Sequence, residues 1–157
     1  MPTWLIVTGL VVLGVIVLVT ILRLLKLHVR HKLMTEINTR FAGQTILCQA
    51  LGANFFGQAS RGMAQMRGNG ALVLTRRELY FRMLLPKREW TIPLETIRDV
   101  SLVKSHLGKT VFMDLVKVDY LSDRGDDAAA WAVRDPDHWL DEIRQAAAAA
   151  TQPDQTH

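Results

Sequence analysis

One cysteine, Cys48, stands in a chain of 157 residues. A lone thiol closes no internal disulfide and builds no cysteine-based zinc site, in keeping with a reducing compartment. Catalytic signatures are missing as well. Ser60, Ser101, Ser105 and Ser122 have no nucleophile-elbow context. Gly108-Lys109-Thr110 imitates the end of a phosphate-binding loop, but the glycine required five residues before Gly108 is Val103. Cys48 falls in the apolar run Thr45–Leu51, where an inert buried thiol is expected. His28 and His31 are three apart with no further ligand nearby, so they read as interfacial polar residues rather than a metal site. The carboxylates gather in Ser122–Asp127 and near the C-terminus, where solvated charges are expected. The expectation is a chain that is not an enzyme and needs no cofactor or metal.

Charge is absent from a second place. Met1 to Leu22 carries no charged side chain. As a helix, Trp4 to Leu22 would reach about 28 Å, close to the roughly 30 Å hydrocarbon thickness of a bilayer. A secretory signal would have basic residues before a shorter apolar run and a small-residue cleavage site after it, and neither is present. Arg23, Lys26, Arg30 and Lys32 follow instead, the enrichment of a cytoplasmic flank. The expectation is one span in the cell (inner) membrane, N-terminus outside, the rest cytoplasmic, with Trp4 as an interfacial anchor. Gly9 and Gly14 are five apart, so the Gly-x-x-x-Gly packing motif is absent.

The net charge of +4 conceals a polarity: residues 1–40 carry +4, residues 41–109 carry +6 and residues 110–157 carry −6. An anionic leaflet would attract the basic portion. Nucleic acid is not an expected partner, because the last third is acidic and no aromatic-and-basic binding motif appears. The chain divides into a transmembrane helix over 1–25, an amphipathic extension over 26–43 through Leu33, Ile37 and Phe41, one domain over 44–150, and a disordered tail over 151–157.

Within that domain the period changes from helix to strand. Gly52–Gly68 reads as an irregular strand pair or one bulged strand, and Asn69-Gly70 as a tight hairpin turn. Leu72 and Leu74 share a face, Leu79, Phe81 and Met83 alternate with Tyr80 and Arg82, and Trp90, Ile92 and Leu94 alternate up to Pro93. Val116, Val118 and Tyr120 point inward on a long strand, and Trp131 is the core residue of the next. Asp135 then caps a helix with Pro136 at its first position and an apolar stripe of Trp139, Leu140, Ile143 and Ala147, leaving Asp141, Glu142 and Arg144 to solvent.

Six or seven antiparallel strands and a closing amphipathic helix make an α+β domain. Gly68-Asn69-Gly70-Ala71-Leu72-Val73-Leu74-Thr75, Leu79-Tyr80-Phe81, Trp90-Thr91-Ile92-Pro93-Leu94 and Trp139 resemble the bacterial pleckstrin-homology-like (PH-like) and GRAM-like domains. The resemblance implies a bent sheet plugged at one end by Trp139, Leu140 and Ile143. Many eukaryotic relatives bind phosphoinositides through a Lys/Arg pattern in the loop between the first two strands, where this chain has only Arg67.

Successive turns of a meander fall at alternate ends of its sheet. Counted from Asn69-Gly70, one end collects Arg67, Lys87, Arg88, Lys104, His106 and Lys109, and the other collects Arg76, Arg77, Glu95, Asp123, Arg124, Asp126 and Asp127. The basic end is a candidate site for anionic lipid headgroups or an acidic partner segment, alongside the reading of ordinary solvated turns. Phe55 and Phe56 read as core aromatics or as a membrane wedge beside it. Two functions follow: a membrane-tethered binding or adaptor module, or a structural or regulatory subunit of a membrane assembly that uses the span itself. A small-molecule carrier is disfavoured, because Trp90, Trp131 and Trp139 would fill the sheet interior.

Overall fold

The computed structural model describes residues 2–62, 65 and 67–151, with the side chains of residues 5, 6 and 109–111 outside that description. It divides between residues 42 and 43 into two units.

The first unit is one helix, α1 (Thr3–Arg40), so the apolar run and its basic extension are continuous. Within its Val7–Arg40 stretch an 18-residue window has a mean hydropathy of 2.6, and the helix is long and apolar enough to cross a membrane. Two hydroxyls of the run bond to their own helix: Thr8 Oγ1 donates to the Trp4 carbonyl at 2.7 Å and Thr20 Oγ1 to the Ile16 carbonyl at 2.8 Å. Such bonds satisfy a hydroxyl donor where no water is at hand. After Arg40 the chain turns, and Gly43 adopts a φ of 79°, a conformation open to glycine at little cost.

The second unit is a seven-stranded antiparallel sheet and one helix, an α+β architecture. The strands are β1 (Ile46–Gln58), β2 (Gly68–Thr75), β3 (Glu78–Met83), β4 (Arg88–Pro93), β5 (Ile97–His106), β6 (Lys109–Ser122) and β7 (Gly125–Ala132), and the helix is α2 (Pro136–Thr151). Their spatial order is β4-β3-β2-β1-β7-β6-β5. The first strand therefore sits between the second and the last, and β4 and β5, consecutive in sequence, occupy opposite edges.

β1 joins the two halves. Ile46 to Phe55 pair with β2, while Asn54 to Gln58 pair with β7. Register shifts fall between Ile46 and Cys48, between Leu51 and Ala53 and between Phe55 and Gly57, and the φ values of Gly52 and Gly57 are 100° and 120°. Bulges bend a strand and increase its local twist, and the Gly52–Gly68 region resolves mainly into this single bulged strand.

The inner face holds the core. Phe55, Phe81, Trp90 and Trp131 form an aromatic cluster with centroids 4.5–6.0 Å apart. Leu72, Leu74, Val116 and Val118 surround it, and α2 inserts Trp139, Ile143 and Ala146 into the same cluster. Asp135 Oδ1 accepts the His138 N–H at 3.4 Å and Pro136 opens the helix, as its sequence requires.

One expectation is corrected. Asn69 and Gly70 lie inside β2, paired with Asn54 and Ala53 of β1, and make no turn. Gly70 is needed for proximity: a Cβ there would collide with the Arg82 carbonyl oxygen and lie 2.7 Å from Phe81 Cζ. The two-residue turn with positive φ is Leu107-Gly108 (52° and 70°), set by the His106–Lys109 pair that closes the β5–β6 hairpin. Arg144 is exposed, as expected, and its guanidinium also reaches the sheet, donating from Nε and Nη2 to the Val100 carbonyl at 3.1 and 2.7 Å. Val100 lies on edge strand β5, so this contact covers a backbone acceptor that an open edge would expose. Of the tail, only Thr151 is described, as the last residue of α2; the disorder expected of 152–157 lies outside the described residues.

Candidate interaction surface

The last residues of β1 organise two environments. Alternation along a strand would put Phe55 and Gln58 on opposite faces. The bulge at Gly57 restores the parity, so both face inward, and Phe56 goes outward.

On the inner side the Gln58 amide is fully used. Its Oε1 accepts the Trp90 Nε1–H at 3.2 Å, and its Nε2 donates to Tyr120 Oη at 2.9 Å and to Asp127 Oδ2 at 2.5 Å. Asp127 is buried and also accepts the Ser60 N–H at 2.9 Å, the Ser60 hydroxyl at 2.7 Å, its neighbour Ala128's N–H at 2.8 Å and the Tyr120 hydroxyl at 3.3 Å. Burial pulls the Asp127 carboxyl upward, but the donors from Ser60, Gln58 and Ala128 outweigh it and hold the group below its ordinary value. Tyr120 responds oppositely. Burial, then the Asp127 charge, pushes its phenol up to about 12. Asp127 is thus a structural acceptor, not the solvated turn charge expected of it.

On the outer side Phe56, Leu115, Ala130 and Ala132 form a second small buried cluster with Val103 against it. The Arg67 guanidinium lies over the Phe56 ring, 4.5 Å from its centroid. Gln65 clamps the preceding segment by accepting the Gln58 N–H at 3.0 Å and donating to the Gln58 carbonyl at 2.5 Å and the Gly62 carbonyl at 2.6 Å. The β5–β6 tip reaches the same place: a Cβ on Gly57 would sit 2.8 Å from Leu107 Cδ1, and His106 Nε2 lies 3.1 Å from the Gly57 carbonyl oxygen. A carbonyl only accepts, so Nε2 carries the proton in that contact.

The six predicted cationic positions divide accordingly. Arg67, Lys87, Arg88 and Lys104 are exposed. His106 is buried at 6 % exposure with its ring engaged to Gly57. The Lys109 backbone pairs with His106, and its side chain lies outside the described residues. Arg67 adjoins Gly68, where a Cβ would meet Met83 Sδ at 2.5 Å and the Leu85 carbonyl at 3.1 Å, so it stands beside the β3–β4 turn carrying Lys87 and Arg88. This end is not purely basic. Because β1 pairs with β7, the acidic β6–β7 turn comes to it as well, as the Ser60–Asp127 bonds show. The alternate-ends count fails at the β4–β5 connection, which crosses from one sheet edge to the other.

Phe55 and Phe56 are both buried, at 1 % and 3 % exposure, so neither is a membrane wedge. Cys48 is half-buried on β1, with Sγ 3.4 Å from His138 Nε2. Burial and then the Glu142 charge raise its pKa and keep it a thiol. The residues that sequence reasoning missed are Gln58, Ser60 and Asp127, joined only by the bulge and the β1–β7 pairing. It also missed Leu85, Phe112 and Met113, which are exposed at 81 %, 112 % and 57 %.

No protein-family model matches this chain, and no curated protein matches it by sequence. Solved structures match by fold. The C-terminal domain of an unknown protein from Leishmania infantum is 17 % identical with a TM-score of 0.55, covering 75 % of this chain and 97 % of that one. A chain in a structure of the 8S snRNP assembly intermediate is 10 % identical with a TM-score of 0.50, covering 71 % and 87 %. At these identities the likeness is one of fold alone. SsgB of Streptomyces coelicolor, from a structure concerned with cell division during sporulation, matches at 13 % identity and a TM-score of 0.34, covering 66 % and 87 %.

Proposed function

We propose that this chain is a single-pass membrane protein whose sheet domain is a PH-like, GRAM-like binding or adaptor module on the cytoplasmic face of the cell (inner) membrane. In this reading α1 is the anchor, with its N-terminus outside, and the domain contacts anionic lipid headgroups or an acidic partner through Arg67, Lys87, Arg88 and Lys104. The fold-family reading draws on the order β4-β3-β2-β1-β7-β6-β5 and the closing helix. The observation that carries the functional reading is that these four cations stand exposed on the connections and strand tips of a domain joined to an apolar helix. Basic groups held at an anionic leaflet gain about 1 kcal/mol each. The reading is non-enzymatic: Asp127, Tyr120 and Ser60 are bonded to one another, and the Cys48 thiol is raised rather than lowered in pKa.

Two measurements test it. A periplasm-dependent phosphatase fused after His157 stays inactive, and the chain resists alkaline carbonate; an active fusion or carbonate release overturns the topology. A fragment covering residues 36–157 co-sediments with phosphatidylcholine–phosphatidylserine vesicles but not with phosphatidylcholine alone. Lys87→Glu with Arg88→Glu weakens that binding about tenfold or more, at about 1 kcal/mol per charge removed. Binding indifferent to salt and to these reversals sinks the role of the basic tips. If deletion of residues 1–32 abolishes every membrane and partner contact, the span itself is the contact, and the chain is a subunit of a membrane assembly.

A further inference from the structure

Outside α1, the three large apolar side chains most exposed among the described residues are Leu85, Phe112 and Met113. None was conspicuous in the sequence, yet each lies on a tip that carries predicted cations. Leu85 is in the β3–β4 turn, two and three residues before the exposed Lys87 and Arg88. Phe112 and Met113 stand at the crest of a bulge in β6. Val103 pairs with Leu115 and Ser105 with Thr110, so residues 111–114 of β6 face the single residue Lys104 of β5, itself exposed. The base of this crest touches β1. Leu107 accepts a left-handed φ of 52° at the turn, unfavourable for a branched side chain, and both it and His106 are pinned against Gly57.

A fully exposed phenylalanine beside an exposed methionine gains nothing from water. We infer that the Phe112–Met113 crest inserts into the anionic bilayer in which α1 is anchored, with Lys104 meeting lipid phosphate beside it. This rests on the membrane-module reading above and deepens it. The bilayer is the occupant because the chain carries its own apolar span, which keeps a membrane within reach, and because the cation across the bulge complements anionic headgroups. The wedge thus belongs to Phe112 and Met113, not to Phe55 and Phe56.

The test uses the full chain reconstituted in vesicles. Nitroxide labels are placed one at a time in a Cys48→Ser background at Phe112→Cys, at Lys87→Cys and, as an aqueous control, at Arg76→Cys on the exposed β2–β3 turn, at the opposite end of β3 from Lys87. Collision with a water-soluble nickel chelate is compared with collision with oxygen. In phosphatidylcholine–phosphatidylserine vesicles the label at 112 is expected to be shielded from the chelate relative to 76. Lys104→Glu reduces that shielding, and Phe112→Ser with Met113→Ser lowers the docked population, read by the label at 87, about tenfold. A label at 112 as open to the chelate as the label at 76 overturns the insertion. If the label at 87 is then still held at the headgroups, the membrane-module reading survives without the wedge. If it too is fully aqueous, lipid contact by the domain falls as well.

Discussion

Replacing Gly70 separates two readings of the same dipeptide. In a hairpin turn with positive φ, asparagine is nearly as good as glycine and alanine costs about 1 kcal/mol. In the structure Gly70 has no positive φ and lies within β2, paired with Met83 of β3 and Ala53 of β1. A Cβ there would run into the Arg82 carbonyl oxygen and approach the Arg82 carbonyl carbon to 2.8 Å and Phe81 Cζ to 2.7 Å. Two of those atoms are backbone of the neighbouring strand, so relief requires β2 and β3 to part where they support the aromatic core. Overpacking in a core typically costs 1–3 kcal/mol, and a backbone obstacle belongs at or above the upper end, about 3 kcal/mol. Against a total stability of about 5–15 kcal/mol that is a large fraction. Gly70→Ala should lower the unfolding temperature of the sheet domain by about 10 °C, and Gly70→Asn by at least as much. The assay is thermal unfolding of the full chain in detergent, followed by the near-ultraviolet circular dichroism of the buried tryptophans, which α1 does not obscure. A Gly70→Asn protein melting within about 3 °C of the parent would refute the reasoning and restore the turn.

Other outcomes follow from the hydrogen-bond network and the helix. Asp127 is held below its ordinary pKa, so its stabilisation is complete above about pH 4 and is lost as pH falls through the folded value. Asp127→Asn should cost about 1–3 kcal/mol at neutral pH and differ less from the parent in acid, measured by urea unfolding across pH. Tyr120 is pushed up to about 12, so its contribution is whole below about pH 10 and disappears between there and about pH 12. Tyr120→Phe should remove that alkaline loss. Arg144→Leu keeps the stem over the edge strand but deletes two donors to Val100, costing about 1–2 kcal/mol in the same unfolding assay. Trp139→Ala empties the contact between α2 and the sheet and should cost about 3–5 kcal/mol by thermal melting.

What the chain discloses in its order of residues is uneven, for physical reasons. Periodicity reports which face of a strand is apolar, and it found Leu72 and Leu74, Leu79 to Met83, Val116 to Tyr120 and the α2 stripe. Uncharged length reports α1. Neither reports which strands become neighbours. The pairing of β1 with β7 is a long-range event, and it brought Asp127 to Ser60 and an acidic turn to the end expected to be purely basic. Asn69-Gly70 has the local preference of a turn, overruled by the register of β2 between two strands, while Leu107-Gly108 has a poor local preference and makes the turn because the hairpin requires it. Of the six cations singled out, their type was legible and their exposure was not. His106 looks like any loop histidine until Gly57 is seen against it.

The helix that begins in the apolar run does not stop where the run does. From Arg23 to Arg40 it continues unbroken, and at 1.5 Å per residue that length projects about 27 Å past the last greasy turn. Within α1, residue count alone therefore sets the separation of Arg23 from Arg40. One inserted residue would lengthen that separation by about 1.5 Å and turn Arg40 by about 100° around the helix axis.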